Sequence, residues 1–198
     1  MPDTAVDRRV ARGEETRRRL AEAMIALLEE GSPQPSARDI AERAGVSLRL
    51  VFHHFDDMEQ VLRAAVSVQV DRHWNRLQAV DPLLPLDERT SKVVRQRETL
   101  YEAIAPVRRA AARAEQSSPT VAAELTRARL QLRHGIESAF DAELRGSGAK
   151  ELLDALEAAA SWETWELLRG RMGLSRSAAR RVVVRMMKSL LADQGGSR

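Results

Sequence analysis

Apolar residues recur along this chain at helical rather than strand spacing. Leu20, Met24, Leu27 and Leu28 fall on one stripe, which predicts a helix over 13–30 that Gly31 ends. Ser32, Pro33, Gln34 and Pro35 form a loop. Ser36 then stands as N-cap of a short helix over 37–44, with Ile40, Ala41 and Ala44 on its inner side. Gly45 follows where a left-handed backbone is needed, and a third helix is expected over 47–55. A fourth is expected over 58–79, with Leu62, Val66, Val70 (or Gln69), Trp74 and Leu77 along one side, until Asp81, Pro82 and Pro85 break the chain. Beyond residue 86 Pro106 either kinks a long helix or opens a separate one. Gln116 to Pro119 read as a turn, and the next helix runs to about residue 144. A loop over 145–149 carries two glycines, helices are expected over 150–170 and 175–192, and the tail QGGSR reads as frayed. Nowhere does a polar and apolar alternation persist between turn signals, so the predicted fold is all-α.

Composition agrees with that pattern. Ala, Leu, Arg and Glu dominate and aromatics make up 4% of the 198 residues, a mixture suited to helices and poor in strand formers. The chain has no Cys, which excludes a disulfide framework and a thiolate metal site. The N-terminus lacks the apolar core of a secretory signal, and no stretch of 18 apolar residues is present. A soluble cytoplasmic protein without membrane contact is the expectation. The formal net charge of +3 points weakly to an anionic partner, but residues 1–60 hold nine Arg against twelve Asp and Glu. Any basic surface there has to be local, and one basic run stands out: Arg8, Arg9, Arg12, Arg17, Arg18 and Arg19. Such a run also suits a merely solvated face.

Chemical motifs are scarce. No phosphate-cradling glycine loop, zinc-protease helix or nucleophile elbow occurs, so no enzyme is expected. His53 and His54 are adjacent and point different ways on a helix, while His73 and His134 stand alone, so neither metal nor cofactor is expected.

The informative stretch is SARDIAERAGVSLRLVFHHF, residues 36–55, which has the logic of a helix-turn-helix. Ile40 and Ala44 pack the first helix, Ala41 is small where two helices cross, Gly45 makes the turn, and Val46 plugs the angle. Val51 and Phe55 anchor the second helix. Ser47, Leu48, Arg49, Leu50, His53 and His54 are left facing outward, and Ser47 is placed to cap their helix. Arg17 and Ser36 join them as candidate DNA contacts. An αα-hairpin of a helical bundle shows the same pattern.

DIAERAGVS, VFHHF and MEQVLRAAV together resemble the signature of the tetracycline-repressor (TetR) family of transcriptional regulators, over roughly residues 17–66. WETWELLRGRMGLSRSAARRVVVRMMKSLL is similar, more weakly, to the family's last two helices. The resemblance implies a three-helix DNA-binding domain over 13–57, then a connecting helix and a dimerising, effector-binding domain over 58–198. It places Ser47, Arg49 and His54 where family members contact DNA. Arg49 can pair bidentately with guanine or grip a phosphate. The chain departs from the family at Phe52, usually Tyr, at Met58, usually Lys, and at Leu50, usually small or hydroxylated. Phe52 and Met58 donate no hydrogen bond, Leu50 can pack on a thymine methyl, and the arginines at 8–19 are candidates to compensate.

In the C-terminal part Ala179, Val183, Met186, Met187, Leu190 and Leu191 form a wide apolar stripe. The 150–170 helix is apolar on two sides, with Leu152, Leu153 and Leu156 on one and Trp162, Trp165 and Leu168 on another. Either it lies central in its own bundle or it meets a partner subunit; the resemblance favours a homodimer interface. Tyr101, Ile104, Leu132, His134, Ile136, Phe140, Trp162 and Trp165 are candidate contacts for a small-molecule effector, and each also suits a plain core position. The function expected is a ligand-responsive repressor, dimeric on a palindromic duplex operator. A helical adaptor that binds protein is the alternative.

Overall fold

A computed structural model describes residues 4–74 and 77–193, leaving aside the side chains of 4–9 and of Asp193. The side chains of Arg8 and Arg9, residues Asn75 and Arg76 and the tail QGGSR therefore lie outside the described residues. Every regular element described is helical: α1 (Thr4–Glu29), α2 (Ala37–Ala44), α3 (Leu48–His54), α4 (Met58–Trp74), α5 (Leu86–Ala114), α6 (Pro119–Ala139), α7 (Ala149–Ala159), α8 (Trp162–Glu166), a π-helical turn (Leu167–Arg171) and α9 (Arg176–Asp193). No described helix is long and apolar enough to cross a membrane.

The helices divide into two compact units. One holds residues 1–75 and 104–128, the other 76–103 and 129–198. Helices α5 and α6 thus each contribute one part to each unit. In the first unit Leu20, Met24, Ile25 and Leu28 of α1 close over Ile40 and Ala41 of α2 and over Val51 and Phe55 around α3. Val61, Leu62, Ala65 and Val66 of α4 complete that core with Val107, Ala111, Val121 and Leu125. At the buried end of α4 it is Gln69, not Val70, that goes fully inside, its amide reaching Glu29 at 3.5 Å.

The turn between α2 and α3 is built as its residues dictate. Ser36 accepts from the Asp39 amide at 3.3 Å while the Asp39 carboxylate takes the Ser36 amide at 2.8 Å, closing a capping box. Donation from the Ser36 hydroxyl to the Asp39 carboxylate, and second from the Ser36 amide, holds that carboxyl below its usual range. Gly45 sits at φ 65°, ψ 39° and its N–H closes on α2, after which the Val46 amide returns to the Ala41 carbonyl at 2.9 Å.

Four boundaries differ from the pattern in the sequence. Helix α1 begins at Thr4 rather than near Gly13, because a lone glycine in a run of strong helix formers weakens a helix without ending it. Helix α4 ends at Trp74 and not near residue 79. Residues 77–80 are not helical: Val80 is buried and the Gln78 carbonyl accepts from the Gln96 amide at 2.9 Å. Helix α6 stops at Ala139, well short of 144, as turns take over and Glu143 leaves to meet Arg89. The expected single helix over 150–170 is two. Ser161 breaks it by accepting from the Thr164 amide at 3.1 Å, so the apolar sides at Leu152–Leu156 and Trp162–Leu168 belong to separate segments. Pro106 lies inside a continuous α5.

Replacing Gly45 by Ala forces a side chain into left-handed backbone at a site with open space around the Cβ. We expect a loss of about 1 kcal/mol in denaturant unfolding for Gly45→Ala and a smaller one for Gly45→Asn. Equal losses for the two would point to packing rather than backbone as the cause.

Candidate DNA-binding surface

Helix α3 has seven residues, too few to hold itself together in water, and its neighbours fix it. Ser47 accepts from the Leu50 amide at 3.3 Å at one end. Val51 and Phe55 are buried on its inner side. At the other end the Arg17 guanidinium lies 4.3 Å from the centre of the Phe55 ring and donates to the carbonyl of His54. A second arginine of the same basic run, Arg19, donates to the carbonyl of Ala44 at 2.8 Å, the last residue of α2. Both helices of the motif therefore end on a cation supplied by α1, where the helix dipole favours one. Arg18 pairs with Glu15 at 2.9 Å and with Glu22 at 3.6 Å.

That geometry revises the basic run. Arg17, Arg18 and Arg19 all have intramolecular partners, so they are not three free charges held ready for phosphates. Two of them serve the motif from a distance of 25 to 37 residues in sequence, a spacing at which local sequence pattern carries no signal.

The outward face of α3 gathers Leu48, Arg49, Phe52 and His53, all exposed, with Phe52 at 52%. Leu50 and His54 are half-buried beside them, and Ser47 is exposed at the helix start. Ser36 is exposed as well, but its hydroxyl is held by Asp39, donating to the carboxylate at 2.7 Å. The imidazoles of His53 and His54 meet edge to face, 5.2 Å apart. Partial burial, then the neighbouring His53 and Arg17, push the His54 pKa down, which favours the neutral ring. Met58, at the start of α4, packs partly against the core. The face is thus more apolar than its charged neighbourhood suggests: Leu48 and Phe52 stand one turn apart with Arg49 and His53 beside them.

Of the effector candidates, Tyr101, Ile136, Phe140, Trp162 and Trp165 are buried in the second unit. Tyr101 donates to the Ala160 carbonyl at 2.9 Å and meets Trp162 edge to face at 5.8 Å. Trp165 donates to Glu102 at 3.0 Å. Leu132 is half-buried there. Ile104 belongs to the first unit, and His134 stands on the surface beside Glu137 at 3.4 Å. The described residues bring no three His, Asp or Glu together as a metal site.

If Arg17 holds α3 as the geometry indicates, Arg17→Met destabilises the protein by about 1–2 kcal/mol, through the lost hydrogen bond and the lost ring contact. Urea unfolding followed by circular dichroism measures this, and an unchanged midpoint would show that the guanidinium contributes nothing to the fold.

Comparison with known proteins bears on this surface. Residues 20–65, which contain α2, α3 and their packing partners, match the family model for bacterial regulatory proteins, tetR family. A tetR-family transcriptional regulator from Streptomyces coelicolor superposes with a TM-score of 0.76 at 24% identity, over 93% of this chain and 84% of that one. A transcriptional regulator from Rhodococcus sp. Rha1 superposes at 0.72 with 21% identity, over 89% and 96%. No curated protein shows a significant match. At these identities the solved structures speak for the fold, and the family model for residues 20–65. The N-terminal helix-turn-helix thus matches the model of the tetR family of bacterial regulatory proteins, in a chain folded like a solved tetR-family regulator.

Proposed function

We propose that this chain is a ligand-responsive transcriptional repressor that binds a palindromic duplex operator as a homodimer. TetR-family regulators are DNA-binding transcription regulators, and the observation that carries the finer reading is the outward face of α3. Arg49 is exposed there with no ion-pair partner among the described residues, on a helix whose opposite side is locked by Val51 and Phe55. A side chain so placed is free to enter a major groove and pair with guanine O6 and N7. Leu48 and Phe52 offer apolar contact to thymine methyl groups on either side of it. Ser47 and His54 remain candidates for phosphate contact, His54 as a neutral donor.

The dimer reading now rests on different residues. Ala179, Val183, Met187 and Leu191 are buried within the single chain, Met187 at 0% exposure, so this stripe is core, and a charge at Met187 would unfold the unit rather than split a dimer. After Ser161, Leu167, Met172 and Met186 are exposed, with Leu190 half-buried. Exposed apolar residues within this last stretch of the chain suit a self-complementary contact.

Two measurements test the reading. Arg49→Ala should keep the wild-type unfolding midpoint and lose discrimination between a selected operator and random duplex by about 1–3 kcal/mol. Salt-independent or absent duplex binding by the wild type would instead favour the adaptor reading. Met186→Glu with Leu167→Glu should shift sedimentation from dimer to monomer and weaken operator binding, because one half-site contributes alone. A wild type that sediments as a monomer at micromolar concentration removes the dimer.

A further inference from the structure

The second unit treats buried charge in a consistent way. Arg89, 6% exposed, has both oxygens of Glu143 at 2.7 and 2.9 Å, the Ala139 carbonyl at 2.8 Å and the Leu84 carbonyl at 2.9 Å. Buried Glu98 takes Arg176 at 2.6 Å and Arg180 at 3.2 Å. Glu102 takes Arg169 at 2.8 Å and the Trp165 indole at 3.0 Å, and Arg133 takes Asp154 at 2.6 Å together with Glu157. Each of these buried or half-buried ions has an opposite charge against it.

Arg97 breaks the pattern. It lies on the same helix, α5, also 6% exposed, and has no carboxylate within ion-pair distance among the described residues. Its Nη2 donates to the Leu132 carbonyl at 2.6 Å, and its Nε is buried with no acceptor. A guanidinium does not shed its proton at physiological pH; burial draws its pKa down from the usual value, opposed by the neighbouring Tyr101. An uncompensated buried cation is among the most expensive features a fold can carry. A neutral residue of similar size would fill the space at no such penalty.

The surroundings are apolar and aromatic. Tyr101 is one turn along α5, its hydroxyl spent on Ala160 and its ring against Trp162. Gly135 of α6 lies directly against the guanidinium, where a Cβ would stand in ordinary contact, 3.6 Å from Nη2. We propose that Arg97 is the anchor for the carboxylate of a small apolar organic acid bound in the C-terminal unit, the missing counter-ion being supplied by the ligand. This rests on the ligand-responsive reading and names the ligand's class. One guanidinium balances one negative charge, which fits a carboxylate rather than a phosphate dianion, and the aromatic neighbours fit an aryl or alkyl body.

The test uses the full chain with benzoate, phenylacetate and octanoate as probes, against benzamide, phenylacetamide and octanol as uncharged counterparts. Thermal unfolding and tryptophan fluorescence should show saturable binding of at least one carboxylate and none of its counterpart at the same concentration. Arg97→Met should weaken that binding about tenfold or more while the unliganded protein becomes no less stable. Arg97→Gln, which can keep the bond to Leu132 without the charge, should behave alike and serves if the methionine variant fails to fold. A wild type indifferent to every carboxylate, or variants that bind as the wild type does, overturns the assignment. Operator release is measured separately. Release by an uncharged compound alone sinks this inference and leaves the regulator intact, whereas carboxylate binding that leaves DNA affinity unchanged keeps the site and removes its regulatory role.

Discussion

A helix of seven residues such as α3 has no stability of its own, and the whole N-terminal unit answers that constraint. Forming the first turn of a helix costs more than a few further hydrogen bonds return, so α3 exists because Val51 and Phe55 bury against α1, α2 and α4. Its ends are closed from outside the backbone ladder, by the Ser47 hydroxyl at the start and the Arg17 guanidinium at the finish. The same side chain that stacks on Phe55 also satisfies the orphan carbonyl of His54, so packing and capping are coupled in one residue. The outward face is then free to be chosen for contact rather than for stability, which is how Leu48 and Phe52 can stand in water there.

What was legible in the sequence follows from the range of the forces involved. Ser36, Gly45 and Val46 act within a few residues of where they stand, and the structure puts all three where local rules put them. The all-helical class was equally readable, since periodicity sums over long windows. The roles of Arg17 and Arg19 were not: a basic run looks the same whether its charges face a phosphate or a helix end 25 to 37 residues away. The break at Ser161 was locally encoded, by a serine three residues before Thr164, but the apolar residues on both flanks masked it. A continuous helix over this stretch needs two buried faces, whereas its halves need one each.

The candidate effector residues illustrate a different limit. Aromatic and aliphatic residues on helices have the same periodicity in a core as around a ligand, and Tyr101, Phe140 and Trp162 are all closely packed in the structure. Pattern cannot separate the two uses; the accounting of charge can. Periodicity says nothing of Arg97, which stands between Gln96 and Glu98 on α5, yet among the described residues it has no acid partner where Arg89 and Arg133 each have one.

On the proposed reading the recognition face also dictates why a second subunit matters. With Arg17, Arg18 and Arg19 engaged inside the chain and hydrogen-bond donors absent at Phe52 and Met58, these five positions bring little to the DNA backbone. Backbone contacts supply most sequence-independent affinity, in proportion to the phosphates neutralised. A surface of Leu48, Phe52 and Arg49 shifts the balance toward base edges, which discriminate well but hold weakly alone. Linking two such domains rigidly multiplies their discrimination without adding a contact, since the second engagement becomes intramolecular. A chain with this face therefore depends on its dimer contact more heavily than one rich in phosphate donors, and loss of that contact should cost it specificity and affinity together.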